Sequence, residues 1–370
     1  MEMMCFSWLL LGLGKSAVYQ VPALCMEGTT IVISPLLSLM DDQIQSLEKK
    51  GIVALTINST LGVKAKRAAF EKLKEGTVKL LYIAPETLLK PELVEFINEN
   101  VNISFIVIDE AHITSVWGMS FRPMYKEIGR VRQIFKTVPI VALTATADPL
   151  TKEDIVRVLK FNSDAKVYTH PVDRSNISYK VIAKADEYSQ TYNIVNKYSK
   201  DTCGIIYCMT RAKAEKMEKY LKSKGVTCEF FHAGMKVADK KQVQDDYMNK
   251  ELNLIIATVA FGMGIDRSDV RYVINVDVCT SIEEFSQMSG RASRDGLAAE
   301  SYILYSYVDV NKAQWLLRQS IKSPERLLIN ANKLKKMVNF CETFQCRRKK
   351  LLEYFGESPP KNCGNCDNCL

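Results

Sequence analysis

The 370-residue chain has no apolar run long enough to cross a bilayer. Its nearest approach, Cys5 to Leu13, falls well short of the roughly 20 residues that a spanning helix needs. Glu2 stands where a secretory leader would carry positive charge, so no membrane association and a cytoplasmic setting are expected. Charge of one sign is also scarce: Lys and Arg total 50 against 42 Asp and Glu, a net charge of +8. That is a modest bias towards polyanions, and it favours nucleic acid only where the positive residues share a face. A disulfide framework is missing too. There are eleven cysteines, but Cys5, Cys25, Cys203, Cys208, Cys228 and Cys279 are scattered through apolar or strand-like contexts and read as reduced core thiols.

What is present is a globular composition, 47% hydrophobic with mixed charge. The length exceeds one ordinary core, so two domains and a small appendage are expected. The organising stretch is Phe105 to Pro123, FIVIDEAHITSVWGMSFRP. Its apolar start reads as a buried parallel strand that delivers Asp109, Glu110 and His112 to the carboxyl end of a sheet, where α/β folds place their ligands. Asp109 can hold Mg²⁺ through a hard oxygen, and Glu110 can orient and deprotonate water attacking a γ-phosphate. A strand end followed by a solvated acidic turn is the alternative, and Asp-Glu-Ala-His alone does not decide.

Upstream, MCFSWLLLGLGKSAVYQ over residues 4 to 20 joins an apolar strand to a glycine-bearing turn and a helix start. Gly12, Gly14, Lys15 and Ser16 match the end of a phosphate-binding loop, in which Lys15 reaches the β/γ oxygens and Ser16 completes the Mg²⁺ shell. The match is partial, since Leu9 occupies the position of the first small residue. Strand–turn–helix units follow at Thr30 to Ser34, Lys79 to Ile83 and Ile140 to Thr144, the last opening into Thr-Ala-Thr-Ala. Periodicity lapses between about Val167 and Ser178, where His170-Pro171 marks a linker. A second α/β pattern comes next, with strands at Gly204 to Tyr207, Cys228 to Phe231, Leu254 to Ala257 and Tyr272 to Val276, and a helix at Ala212 to Lys224. It has no second phosphate loop. It does have QMSGRASRDG, whose Arg291 and Arg294 at (i, i+3) would point the same way, towards a γ-phosphate, or else form a solvent-facing pair beside Asp295.

The tail holds Cys346, Cys363, Cys366 and Cys369 in a C-x16-C-x2-C-x2-C spacing. Four thiolates suit a closed tetrahedral Zn²⁺, and the short polar tail has little core in which to bury free thiols. Lys333 to Lys350 reads as a basic helical stretch, either a solvated face or a contact for DNA phosphate.

Asp-Glu-Ala-His with Ser115, Trp117-Gly118 and Phe121-Arg122-Pro123, then Thr-Ala-Thr-Ala-Asp, ATVAFGMGID and GRASRDG, together resemble the RecQ family of superfamily 2 DNA helicases. The resemblance covers Gly12 to Leu370 and implies two tandem RecA-like (P-loop NTPase) α/β domains with parallel sheets and a small helical zinc-binding module. The boundaries expected are 1–172, 173–310 and 311–370. It implies an ATP-dependent 3′→5′ helicase acting on single-stranded and partly duplex DNA in recombination and repair, with ATP, Mg²⁺ and Zn²⁺. By position, Lys15 and Ser16 bind phosphate and Mg²⁺, Asp109 is the Mg²⁺ ligand, Glu110 the base, and Arg294 the arginine finger with Arg291 beside it. Gly264 and Asp266 belong with the nucleotide, and His112 and Thr144 to Thr146 with coupling. Trp117, Phe121 and Arg122 lie in what resembles the family's DNA-sensing aromatic loop; Ser34 and Arg211 are further candidates for the DNA track.

The chain also departs from the family pattern. Val116, Met119 and Ser120 replace polar loop residues, and Asn275 and Met288 replace a His and a Glu. An adenine-reading segment before the phosphate loop and a winged helix after Cys369 are expected to be lacking. A DNA-binding remnant with little or no catalysis is therefore the alternative, and an RNA helicase of the same superfamily a more distant one.

Overall fold

A computed structural model describes residues 5–8, 14–35, 37–58, 61–115, 123–259, 261 and 267–370. It divides into two compact units, Met1–Pro171 and Val172–Leu370.

The first unit is a seven-stranded parallel sheet. Its strands are β1 (Cys5–Trp8), β2 (Thr29–Ile33), β3 (Ala54–Ile57), β4 (Leu80–Ile83), β5 (Ile103–Ile108), β6 (Ile140–Thr144) and β7 (Lys166–Thr169), in the order β3-β4-β2-β5-β6-β1-β7. β2 and β4 are buried along their whole length and nearly all of β5 is, as expected of strands covered on both faces. β5 is central: Ile108 lies opposite Ile33 of β2 and Ala142 of β6. β1 runs beside β6, so the carboxyl ends of β1, β5 and β6 share one rim. Tyr19, Met40 and Leu47 from the helices pack against Val32, Leu80 and Val107 of the sheet.

The second unit is a six-stranded parallel sheet of β8 (Ile177–Ala183), β9 (Cys203–Tyr207), β10 (Glu229–Phe231), β11 (Leu254–Ala257), β12 (Val270–Asn275) and β13 (Ala299–Tyr305), ordered β10-β11-β9-β12-β13-β8. Gly204 of β9 has no room for a side chain, since a Cβ there would lie 2.1 Å from the Tyr272 ring of β12. Helices Tyr307–Ser320, Pro324–Glu342 and Arg347–Tyr354 follow.

The sequence reading missed β3, β7, β8 and β13. β3, β7 and β8 are sheet edges, with no continuous apolar run, and β7 is exposed at all four residues. The aperiodic stretch near His170 is strand at both its ends, and 170–176 lies between β7 and β8. Ten of the cysteines are unpaired among the described residues. Cys203, Cys208, Cys228 and Cys279 are buried as expected, but Cys25 is exposed as the last residue of helix Ala17–Cys25. Cys5 has no described side chain. No described helix is long and apolar enough to cross a membrane.

Candidate nucleotide site and cysteine cluster

Gly14 takes a left-handed φ of +73°, a conformation glycine adopts at little steric cost. Its carbonyl accepts the Ala17 N–H at 2.8 Å, which starts the helix and leaves Lys15 and Ser16 in the turn before it. Ser16 makes no capping hydrogen bond through its hydroxyl. Lys15 reaches back to the end of β5: its Nζ is 2.9 Å from Asp109 Oδ1 and also bonds Glu110 Oε1. Its side chain is only 17% exposed.

Asp109 continues the ladder, donating its N–H to Ile33 O at 2.9 Å, and its Oδ1 accepts the Glu110 N–H at 2.9 Å. Glu110 then turns into left-handed backbone at φ +50°, ahead of the 3-10 turn Ala111–Thr114. That turn brings His112 Nδ1 to 2.9 Å from Thr144 Oγ1 at the end of β6 and 3.3 Å from Glu110 Oε2. Thr144 Oγ1 in turn accepts the Thr146 N–H at 3.3 Å. Three separated segments thus meet in one polar chain, from Lys15 through Glu110 and His112 to Thr144.

Burial opposes charge on all three central groups, and the outcomes differ. For Lys15 the two carboxylates outweigh burial and raise its pKa. For Glu110 burial is outweighed by Lys15 and then His112, which hold the carboxyl well below its usual range. Asp109 goes the other way: burial, with repulsion from Glu110, outweighs the attraction of Lys15. The carboxylate oxygens of Asp109 and Glu110 and the Ser16 hydroxyl are hard donors of the kind Mg²⁺ takes, and Lys15 among them suits a nucleotide phosphate.

Of the other candidates, Ser34 is buried and its hydroxyl lacks a hydrogen-bond partner among the described residues. Arg211 opens helix Arg211–Ser223, which Thr210 caps by accepting the Lys213 N–H at 3.3 Å. Gly12, Trp117, Phe121, Arg122, Gly264 and Asp266 lie outside the described residues, as do Val116, Met119 and Ser120. Helix Ile282–Ser289 ends at Gly290, and Arg291 and Arg294 occupy the turn beyond it. Arg291 is buried, Arg294 half-buried, and Ser293 between them has φ +57°.

At the tail, the four sulfurs of Cys346, Cys363, Cys366 and Cys369 lie within 4.8 Å of one another. Tetrahedral Zn–S bonds imply sulfurs about 3.8 Å apart, and Cys363 and Cys369 are at 3.9 Å. Backbone N–H groups already point at the sulfurs: Arg347 at Cys366 (3.4 Å), Lys349 at Cys346 (3.5 Å) and Asn365 at Cys363 (3.3 Å). Such donors stabilise thiolate, so the set fits Zn²⁺.

The basic stretch before the cluster is split, with Lys335 and Lys336 exposed as a solvated face would have them and other cations turned inward. Lys333, Arg347 and Arg348 are buried and paired with Glu283, Asp367 and Asp173. Sequence reasoning missed these partners, and Arg174 and Asn176 with them, because each lies far away in the chain. A further network was also missed: Asp277 binds Lys184 (3.1 Å) and Lys213 and accepts the Met209 N–H (2.9 Å), while Lys184 also meets Asp309.

Three family models match the chain: "DEAD/DEAH box helicase" over 10–155, "Helicase conserved C-terminal domain" over 186–296 and "RecQ zinc-binding" over 307–370. The ATP-dependent DNA helicase RecQ of Pasteurella multocida is 43% identical over 359 residues, covering 97% of this chain and 56% of that protein. The RecQ of Bacillus subtilis is 40% identical over 361 residues, covering 97% and 60%. The chain thus spans a little over half the length of these relatives. Among solved structures, the DUF1998 helicase MrfA bound to DNA superposes with a TM-score of 0.68 at 16% identity, covering 92% of this chain and 52% of that one. Saccharomyces cerevisiae Dbp5 bound to RNA and ADP BeF3 gives 0.63 at 16%, covering 90% and 89%. At that identity they show the fold alone, two RecA-like domains. The two helicase matches in tandem, a RecQ-type zinc module carrying the four clustered cysteines, and 40–43% identity to RecQ proteins along nearly the whole chain place it in the RecQ family of helicases.

Proposed function

We propose that this chain hydrolyses ATP to translocate 3′→5′ along single-stranded DNA and unwind duplexes, in recombination and repair in the cytoplasm. The observation that carries the reading is the chain of contacts from Lys15 through Glu110 and His112 to Thr144. Lys15 neutralises two carboxylates here and is placed to exchange them for phosphate oxygens. Asp109 and Ser16 would hold Mg²⁺, which when bound neutralises phosphate charge. Glu110, freed from Lys15, takes the proton of the attacking water, with His112 still favouring its ionised form. His112 and Thr144 link that carboxylate to the end of β6. Arg294, with Arg291 beside it, supplies cationic stabilisation of the γ-phosphate. Gly12, Gly14, Gly264 and Asp266 complete the nucleotide set; Ser34, Trp117, Phe121, Arg122 and Arg211 line the DNA track. The functional segments are 1–172, 173–310 and 311–370.

ATP hydrolysis by the whole chain, with and without single-stranded DNA, tests this beside Lys15→Ala and Glu110→Gln. Turnover should rise with DNA and fall at least about 100-fold in both variants. Equal background rates in all three proteins, with DNA still bound, would identify a binding remnant instead.

A further inference from the structure

The turn carrying Arg291 and Arg294 is gripped from a distant part of the chain. Ala292 and Ser293 are buried, so their carbonyls need donors within the protein. Arg174 supplies both: one guanidinium nitrogen, Nη2, donates to Ala292 O at 3.0 Å and Ser293 O at 2.8 Å. Asn176 donates to Ser293 O and Leu297 O, each at 3.2 Å, and bonds the Ser293 hydroxyl. Ser293 also gives its own N–H to Val270 O at 2.8 Å. These bonds hold Ser293 in left-handed backbone, which a residue with a Cβ adopts only at a steric cost.

The gripping segment is itself held by the cysteine module. Arg348 donates to Arg174 O (2.7 Å), Ser175 O (3.3 Å) and Ile177 O (2.6 Å) and pairs with Asp173. It lies on the helix that Cys346 caps, and Asn365, between two cluster cysteines, donates to Ser175 O at 3.1 Å. A continuous set of hydrogen bonds therefore runs from the four-cysteine site to the arginine turn.

We propose that Arg174 and Asn176 are positioning residues that set the Arg291–Arg294 turn, and that Arg348 ties their placement to the cysteine site. The catalytic half of this inference rests on the finger role given above to Arg294; the structural half does not. Hydrogen exchange over residues 291–297, on the full zinc-loaded chain, reads the coupling without turnover. Arg174→Gln and Arg348→Lys should each speed exchange there at least tenfold while β9 and β11 stay protected. Stripping the metal with a chelator should do the same. In ATPase assays Arg174→Gln should lower kcat at least tenfold with KM for ATP within threefold. Adding Arg294→Ala to it should cost no more than Arg294→Ala alone. Unchanged exchange over 291–297, or a kcat loss additive with that of Arg294→Ala, would overturn the proposal. Should Arg174→Gln loosen the whole unit, Asn176→Ala decides by the same readouts. If the chain shows no turnover at all, the function above fails while the exchange result still stands or falls separately.

Discussion

Glu110 owes its character to two neighbours and to its own backbone conformation. Lys15 lies 95 positions upstream, His112 reaches it around a 3-10 turn, and its own φ of +50° aims the carboxylate between them. Its pKa is lowered on folding, so its contribution to stability is present above the unfolded value and lost as pH falls through the folded one. Lys15 has the opposite sign: raised on folding, it stabilises below its ordinary value and loses that as pH rises past it. Once Lys15 turns to phosphate, His112 is the neighbour left to favour the Glu110 carboxylate. His112→Ala removes one of the contacts holding Glu110 ionised, so it should lower kcat about tenfold and move the acid limb upward. A pH–rate profile identical to that of the parent chain would count against this network. The chemical identities here were readable, because a phosphate needs a lysine and a hard cation needs a carboxylate. The left-handed turn and the His112–Thr144 contact were not, because neither leaves a trace in residue type.

Helix Pro324–Glu342 shows how an element can be misjudged from composition. Lys335 and Lys336 are exposed as its basic residues suggest, yet Lys333 is buried against Glu283 of helix Ile282–Ser289, and Phe340 packs on Phe285 with ring centroids 5.1 Å apart. The pair lies two turns before Arg291. Burial penalises Glu283, but Lys333 outweighs that and lowers its pKa. Removing one partner strands a buried charge, so Lys333→Met should destabilise by about 3–5 kcal/mol, and Glu283→Gln/Lys333→Met should recover much of it. Thermal and denaturant unfolding of the full chain compares the three. The pair also adds acid sensitivity, since its stabilisation is lost as pH falls below the ordinary glutamate range, and the double variant should lack that component. Most strands were legible as short apolar runs closed by polar stops. The edges β3, β7 and β8 were not, because a strand with one open side need not be continuously apolar.

Across the whole molecule, the tail cysteines act as an anchor for the second unit as well as a metal-binding set. The backbone of Cys366 pairs with that of Tyr179 of β8 as an isolated parallel β-bridge, and Asp367 donates its N–H to Tyr179 O at 3.1 Å and accepts the Val181 N–H at 2.7 Å. The purified chain should carry one zinc. Cys366→Ser should lose it and lower the melting temperature, whereas Cys341→Ser should keep full occupancy, since Cys341 lies outside the cluster. Metal analysis with a thiolate-sensitive dye checks both. Affinity should rise with pH, because the thiols must give up protons to bind.

The sequence by itself determined the class of the protein: two parallel α/β sheets, a Gly-Lys-Ser turn ahead of a helix, an acidic pair at a strand end, and four zinc-spaced cysteines. These follow from local chemistry, since the side chain's identity and its spacing are what a phosphate or a metal selects. Only the tertiary structure decided which charges are spent inside the fold. Lys333, Arg347 and Arg348 read as surface cations until partners 20 to 175 positions away, and buried carbonyls that must be paired, are brought against them. Burial is a property of packing, and no local pattern of charge encodes it.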